Sequence, residues 1–207
     1  MKNAIIFLNG EINLQFCEEH IHKNHKNVDI YCADGSFDMI KTSSYLMKNL
    51  RATIGDKDSI KSSGIPKSYF FFKNQNYTDF EKCLIVINSS VKNLIVYGMN
   101  GKEMDHYLGN LHTSLLYTKK FSFNFIDQYG YSRFLDKNNI IKNCFGKTIS
   151  ILPLPIMKNV SIIGCKYKVD KEDLFFGKLI SIRNIAISNE VAIRYSEGNG
   201  IIFISHK

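Results

Sequence analysis

Short apolar runs alternate with amphipathic stretches over the first two-thirds of this chain. Ala4-Ile5-Ile6-Phe7-Leu8 is continuous and closed by Asn9-Gly10, the form of a strand buried on both faces. Val28-Asp29-Ile30-Tyr31-Cys32-Ala33 predicts a second strand ending at Asp34-Gly35. From Phe37 to Asn49 the apolar positions Phe37, Ile40, Tyr45 and Met47 have helical spacing. Ala52-Thr53-Ile54-Gly55 and Tyr69-Phe70-Phe71-Phe72 read as further strands. Thr78 to Asn88 predicts a helix, because Thr78 followed three residues later by Glu81 is a capping-box pattern. Leu94 to Gly98 predicts a strand, Met104 to Leu116 a helix, and Phe121 to Ile126 a closing strand. Such alternation predicts a Rossmann-like parallel α/β sheet, whose ligands sit beyond the carboxyl ends of its strands.

The pattern changes after about Tyr129. Ile149 to Pro155, Val160 to Gly164, Leu179 to Ile182, Val191 to Tyr195 and Ile201 to Ser205 are short strand-like runs separated by turn signals such as Glu197-Gly198-Asn199-Gly200. They predict a C-terminal antiparallel β-sandwich of about 65 to 70 residues. The expected organisation is an α/β domain over residues 1–135 and a β-sandwich domain over 140–207, with the boundary between Gly130 and Thr148. A β-domain this small is expected to pack on its neighbour or on a second subunit.

Composition narrows the partners. The 15 Phe and 11 Tyr in 207 residues are enough for a sizeable core without disulfides or a structural metal. The five Cys are scattered, with no Cys-x-x-Cys pair, and read as reduced core thiols of a cytoplasmic protein. The N-terminal apolar stretch is too short for a signal peptide, and no run approaches a membrane span. A balance of 27 Lys+Arg against 19 Asp+Glu gives a net charge of +8, but the excess is mostly single Lys residues among Ile and Asn. Without a charge block or Arg-aromatic interleaving, this predicts a solvated basic surface and no nucleic-acid partner.

Against that basic background, acids gather beside the predicted strands. Ala33-Asp34-Gly35, Gly55-Asp56-Lys57-Asp58-Ser59, Thr78-Asp79-Phe80-Glu81-Lys82 and Gly101-Lys102-Glu103-Met104-Asp105-His106 each border or follow an apolar run. Carboxylates at several strand ends suit a hard cation such as Mg²⁺ and phosphoryl-transfer chemistry. Asp56 and Asp58, two apart in an extended loop, can face one cation, and Gly55 permits close backbone approach. Taken singly, each segment also fits an Asp-rich turn, a helix cap or a solvated Asp-His pair. Neither a Walker-type phosphate loop nor a Gly-x-Gly-x-x-Gly fingerprint occurs.

Their order is more specific. Asp34-Gly35, then Asp56-x-Asp58-Ser59, then Gln75-x-x-Thr78-Asp79-x-Glu81-Lys82, then Gly98-x-x-Gly101-x-x-x-Asp105-His106-x-Leu108-Gly109-Asn110-Leu111 resembles the thiamin pyrophosphokinase family. Gly164-Cys165-Lys166-Tyr167, Phe176-Gly177 and Ser188-Asn189-Glu190 resemble its thiamin-binding β-domain, so the resemblance covers nearly the whole chain. It implies a cytoplasmic homodimer with active sites at the subunit interface, transferring a pyrophosphoryl group from ATP to the thiamin hydroxyl and releasing AMP. By the same resemblance, Asp56, Asp58 and Asp79 would hold Mg²⁺ and form the catalytic set. Asp34, Gly35, Ser36, Lys102, Asp105 and His106 would contact ATP, and Gln75, Tyr167, Ser188 and Asn189 would bind thiamin. An aromatic face at Tyr167 suits the cationic thiazolium ring.

The chain departs from the family pattern in several places. Ser36-Phe37-Asp38 follows Asp34-Gly35 where the family has a second Gly and then Ala-Asn. Lys57 replaces a Phe between the paired aspartates, and Asn74 replaces an Asp before Gln75. Glu103 stands where an Arg is usual, with Lys102 beside it as a substitute charge of a less bidentate kind. Three other readings keep some of these residues: a pyrophosphokinase for another small alcohol such as a hydroxymethyl pterin, a thiamin-binding relic without turnover, and a basic nucleic-acid-binding protein.

Overall fold

The computed structural model describes residues 2–56, 68–100 and 102–207. They form two compact units, Met1–Gln128 and Tyr129–Lys207. The first holds strands β1 (Lys2–Phe7), β2 (Asp29–Ala33), β3 (Leu50–Gly55), β4 (Tyr69–Phe71), β5 (Val91–Tyr97) and β6 (Ser122–Ile126). Its helices are α1 (Leu14–Asn24), α2 (Phe37–Ile40), α3 (Ser44–Lys48), α4 (Asp79–Val86) and α5 (Met104–Leu116). The strands lie in the order β4-β3-β2-β1-β5-β6, all parallel.

Chain order reverses at β1, which has β2 on one side and β5 on the other. Such a switch point leaves a crevice beyond the strands' carboxyl ends, where successive connections depart to opposite faces. The apolar residues of these central strands are buried: Ile5, Phe7, Ile30, Cys32, Ile95 and Tyr97 form one core, with Phe7 stacked on Tyr97 at 5.1 Å.

Two helical expectations need amendment. The single helix predicted from Phe37 to Asn49 is α2 and α3, separated at Lys41–Ser43. Ser43 takes extended backbone and accepts the Leu46 N–H at 3.1 Å, so it caps a new helix instead of continuing the old one. Helix α1 has no counterpart among the predicted elements. It is capped by Asn13, which accepts the Phe16 N–H, and it buries only Cys17 and Ile21.

The second unit is antiparallel, with β7 (Gly130–Phe134), β8 (Asn138–Lys142), β9 (Thr148–Ile163), β10 (Val169–Phe175), β11 (Ser181–Ile185), β12 (Glu190–Arg194) and β13 (Glu197–Ser205). The two strands expected at 149–155 and 160–164 are one 16-residue strand, β9. One edge of β9 pairs with β13 and then β12; the other pairs with β11 up to Ile151 and with β10 from Ile156. The change of partner falls at Pro153 and Pro155, which have no N–H to give a ladder. Alternate β9 residues Ile149, Ile151, Met157, Val160 and Ile162 point into a core shared with Val191, Ile193, Ile202 and Ile204. Among the described residues, no helix is long and apolar enough to cross a membrane.

Candidate active site

The crevice is built first from backbone. Where β1 and β5 end, Leu8 N–H donates to Tyr97 O at 2.9 Å, Gly10 N–H to Gly98 O at 3.1 Å and Glu11 N–H to Asn100 O at 2.8 Å. Gly10 is required at this crossing, since a Cβ there would lie 2.2 Å from Asn100 O and 2.3 Å from Gly98 O. The crossing sets Asn9 against Gly35, where an added Cβ would meet the Asn9 amide nitrogen at 2.6 Å. Asn9 Oδ1 accepts from Lys102 Nζ at 3.0 Å.

Asp34 opens a 3-10 turn, Asp34–Ser36, directly after β2. It is fully buried, and its Oδ1 accepts from the Tyr69 hydroxyl of β4 at 2.8 Å. Gly55 makes room for it: a Cβ there would sit 2.5 Å from the Asp34 Cβ. Ser36 is also buried, its hydroxyl bonded to Phe7 O at 2.8 Å and Ala33 O at 2.6 Å, which ties the turn to the end of β1.

Asp56 follows β3, and Asp79 is the first residue of α4. Thr78 accepts the Glu81 N–H at 3.2 Å and so starts α4 as its capping pattern predicts, while the Glu81 carboxylate accepts from the Tyr117 hydroxyl at 3.1 Å. One turn into α4, Lys82 is 2% exposed, and its ammonium donates to Asp79 Oδ1 at 2.9 Å and Asp56 Oδ2 at 3.1 Å. Gln75 Nε2 also donates to Asp56 Oδ2, at 2.8 Å. Burial raises the pKa of Asp79 above the ordinary carboxylate value; the Lys82 ammonium offsets part of this, and the charges of Asp56 and Asp34 add to it. Burial opposes the charge on Lys82, but its bonds to both carboxylates outweigh that and raise its pKa, so it stays protonated at neutral pH.

These groups line a cavity of about 430 Å³. Its walls bring together Asp56, Gln75, Asp79, Asp105 and His106 of the sequence-derived candidates, with Asn9, Gly10, Tyr77 and Asn110 beside them. Among the described residues, Asp34, Gly35, Ser36 and Lys102 do not line it. Asp58, with Lys57 and Ser59, lies outside the described residues. On α5, Asp105 and His106 are exposed, and the donor atoms of Glu103, Asp105 and His106 fall within 4.8 Å of one another.

The other candidates belong to the second unit. Tyr167 is 61% exposed and borders a cavity of about 350 Å³ together with Glu172, Leu179, Ile182 and Asn184. Its backbone is fixed by Asn184, which accepts the Tyr167 N–H at 2.9 Å and donates to its carbonyl at 2.7 Å. Ser188 and Asn189 are exposed in the turn before β12, where the Ser188 hydroxyl accepts the Glu190 N–H at 3.3 Å.

All five cysteines are free and buried. Burial pushes the thiols of Cys17 and Cys32 up to about 12 and that of Cys165 up to about 11, so none is poised as a thiolate nucleophile. Lys82, Asn9, Tyr69, Tyr77 and Asn110 are residues in or beside the site to which the sequence reading gave no role. Lys82 carried one signal, its place three residues after Asp79 on the same helical face.

A parallel sheet with a carboxylate-lined cleft at its switch point, followed by an antiparallel β unit, is the architecture of a two-part α/β enzyme. The family models for the thiamin pyrophosphokinase catalytic domain and vitamin B1 binding domain match residues 21–125 and 137–199. The chain therefore belongs to the thiamin pyrophosphokinase family. It is similar in fold to the thiamine pyrophosphokinase from Bacillus subtilis, at 18% identity and a TM-score of 0.79, covering 99% of each chain. The enzyme from Geobacillus thermodenitrificans matches at 17% identity and a TM-score of 0.80, covering 99% of this chain and 98% of that one. The enzyme from Candida albicans matches at 16% identity and 0.79, covering 99% and 88%. No curated protein matches the chain by sequence.

Proposed function

We propose that this protein transfers a pyrophosphoryl group from Mg-ATP to the hydroxyl of thiamin, giving thiamin diphosphate and AMP. The observation that carries this reading is the convergence of Asp56 and Asp79 on one cationic point in the first unit's cleft. Two carboxylates sharing an ammonium mark a place where positive charge is favoured, and their hard oxygens suit Mg²⁺. Asp56 and Asp79, with Asp58, would hold the ion. When bound, it supplies neutralisation of charge developing on the phosphate oxygens.

The chain's own residues supply position. The thiamin hydroxyl oxygen attacks the β-phosphorus, the bond from that phosphorus to the α–β bridging oxygen breaks, AMP leaves with the oxygen, and the hydroxyl proton passes to water. Asp34, Gly35, Ser36, Lys102, Asp105 and His106 are the proposed nucleotide contacts. Gln75 is the proposed thiamin contact in the first unit, hydrogen-bonded to Asp56 so that both can act at one place. Tyr167, Ser188 and Asn189 are proposed to complete the thiamin site in the homodimer. The reduced thiols accord with a cytoplasmic setting.

The test is to incubate the purified protein with MgCl₂, ATP and thiamin and to quantify AMP and thiamin diphosphate by chromatography. Equal amounts of both are expected. Measurable thiamin binding without product would replace this reading with that of a relic. Turnover of a hydroxymethyl pterin but not of thiamin would move the substrate class.

Dimerisation is supported by the second unit's surface. Phe176 is 62% exposed, and Ile163, Leu179, Ile182, Ile185 and Ile187 are exposed with it. Apolar surface of that extent in one small unit favours association. Sedimentation velocity is expected to give twice the chain mass at micromolar concentration; a monomer there would remove the homodimer from the proposal.

A further inference from the structure

We propose that Lys82 is the resident counter-ion of the carboxylate site: it holds Asp56 and Asp79 in place in the metal-free protein and competes with a divalent cation for the same oxygens. The inference rests on the metal-site reading above and adds a role for a residue that reading does not use. At 2% exposure the Lys82 side chain has lost its water, a state a lysine keeps only when paired. Its partners come from two segments, Asp56 after β3 and Asp79 at the start of α4, at 3.1 and 2.9 Å. Its own position is fixed, since its backbone N–H donates to Thr78 O at 2.9 Å in the first turn of α4.

One positive charge shared by two carboxylates leaves the trio negative, so the point still attracts a divalent ion. That ion would have to approach beside an ammonium already bonded to its ligands, and the repulsion lowers its affinity. Lys82 thus preassembles the ligands and weakens the ion's grip on them. A lysine that preassembled the ligands without competing for them would act in the opposite sense: its removal would let the carboxylates drift and would weaken metal binding.

The measurement is the affinity for Mn²⁺ alone, by electron paramagnetic resonance of the free ion, for the full chain and its Lys82→Met variant. Both are made in a Glu103→Gln background so that the exposed cluster with Asp105 and His106 contributes little. The variant is expected to bind Mn²⁺ about tenfold more tightly, to melt at a lower temperature without metal, and to gain more from added Mn²⁺. Equal or weaker binding by the variant, with clear binding by the parent, overturns the inference alone. Absence of Mn²⁺ binding in the parent overturns it together with the metal-site reading. If Lys82→Met does not fold, Lys82→Arg is measured instead. Its fork is expected to grip both carboxylates and weaken Mn²⁺ binding several-fold, and an unchanged affinity overturns the inference.

Discussion

Asp79→Asn is expected to lower turnover of Mg-ATP and thiamin by about a thousandfold or more, roughly 4 kcal/mol of transition-state stabilisation. The substitution preserves shape: an asparagine oxygen can still accept from Lys82, which bonds the carboxylate at 2.9 Å. It removes the negative charge that a divalent ion requires of its ligand and leaves the Lys82 ammonium with Asp56 as its one charged partner among the described residues. The fold should survive. Asp79 is the first residue of a helix already capped by Thr78, and losing a charge at a helix start costs only about 0.3–1 kcal/mol. Steady-state kinetics beside a circular dichroism spectrum check both halves. Activity within tenfold of the parent, with an intact fold, would remove Asp79 from the catalytic set.

Gly10→Ala is expected to lower the unfolding free energy by about 3 kcal/mol. The new Cβ would lie 2.2 Å from Asn100 O and 2.3 Å from Gly98 O. Neither carbonyl can step aside cheaply, because each accepts a hydrogen bond from this very loop, Gly98 O from Gly10 and Asn100 O from Glu11. Relief therefore requires pulling the ends of β1 and β5 apart, at the floor of the cavity. Gly109, another glycine of the cavity wall, is the control, since a Cβ there meets nothing within 4 Å. Urea titration of the two alanine variants checks the difference. Equal midpoints would mean that the β1–β5 crossing is softer than its contacts imply.

The parallel unit was legible in the sequence because its central strands β1, β2 and β5 are buried on both faces and so appear as largely apolar runs. Helix α1 was not: Glu18, Glu19, His20, His22 and Lys23 dilute a stripe that buries only Cys17 and Ile21. The break at Ser43 was hidden because apolar spacing on its two sides stays in phase while a local side-chain bond decides the backbone. Pro153 and Pro155 looked like the end of a strand, yet a proline needs only an edge that asks for no donor, and β9 changes partners there. In the cleft, the acids at strand ends could be read from their neighbours in the sequence. For Lys82 only the pairing with Asp79 could be read so, because its second partner is Asp56, 26 positions away. Asn9 was equally hidden, since its neighbour Gly35 and its partner Lys102 arrive from other loops.

The continuity of β9 bears on solubility. Outside Pro153 and Pro155, its sequence, Thr148 to Ile163, combines high β-propensity with few charges, and on an open edge those stretches would be a template for pairing between chains. The fold gives that strand neighbours on both sides along most of its length. Both edges of that segment are thereby occupied once the unit has formed, and its hazard is confined to the time before β10, β11, β12 and β13 have paired with it.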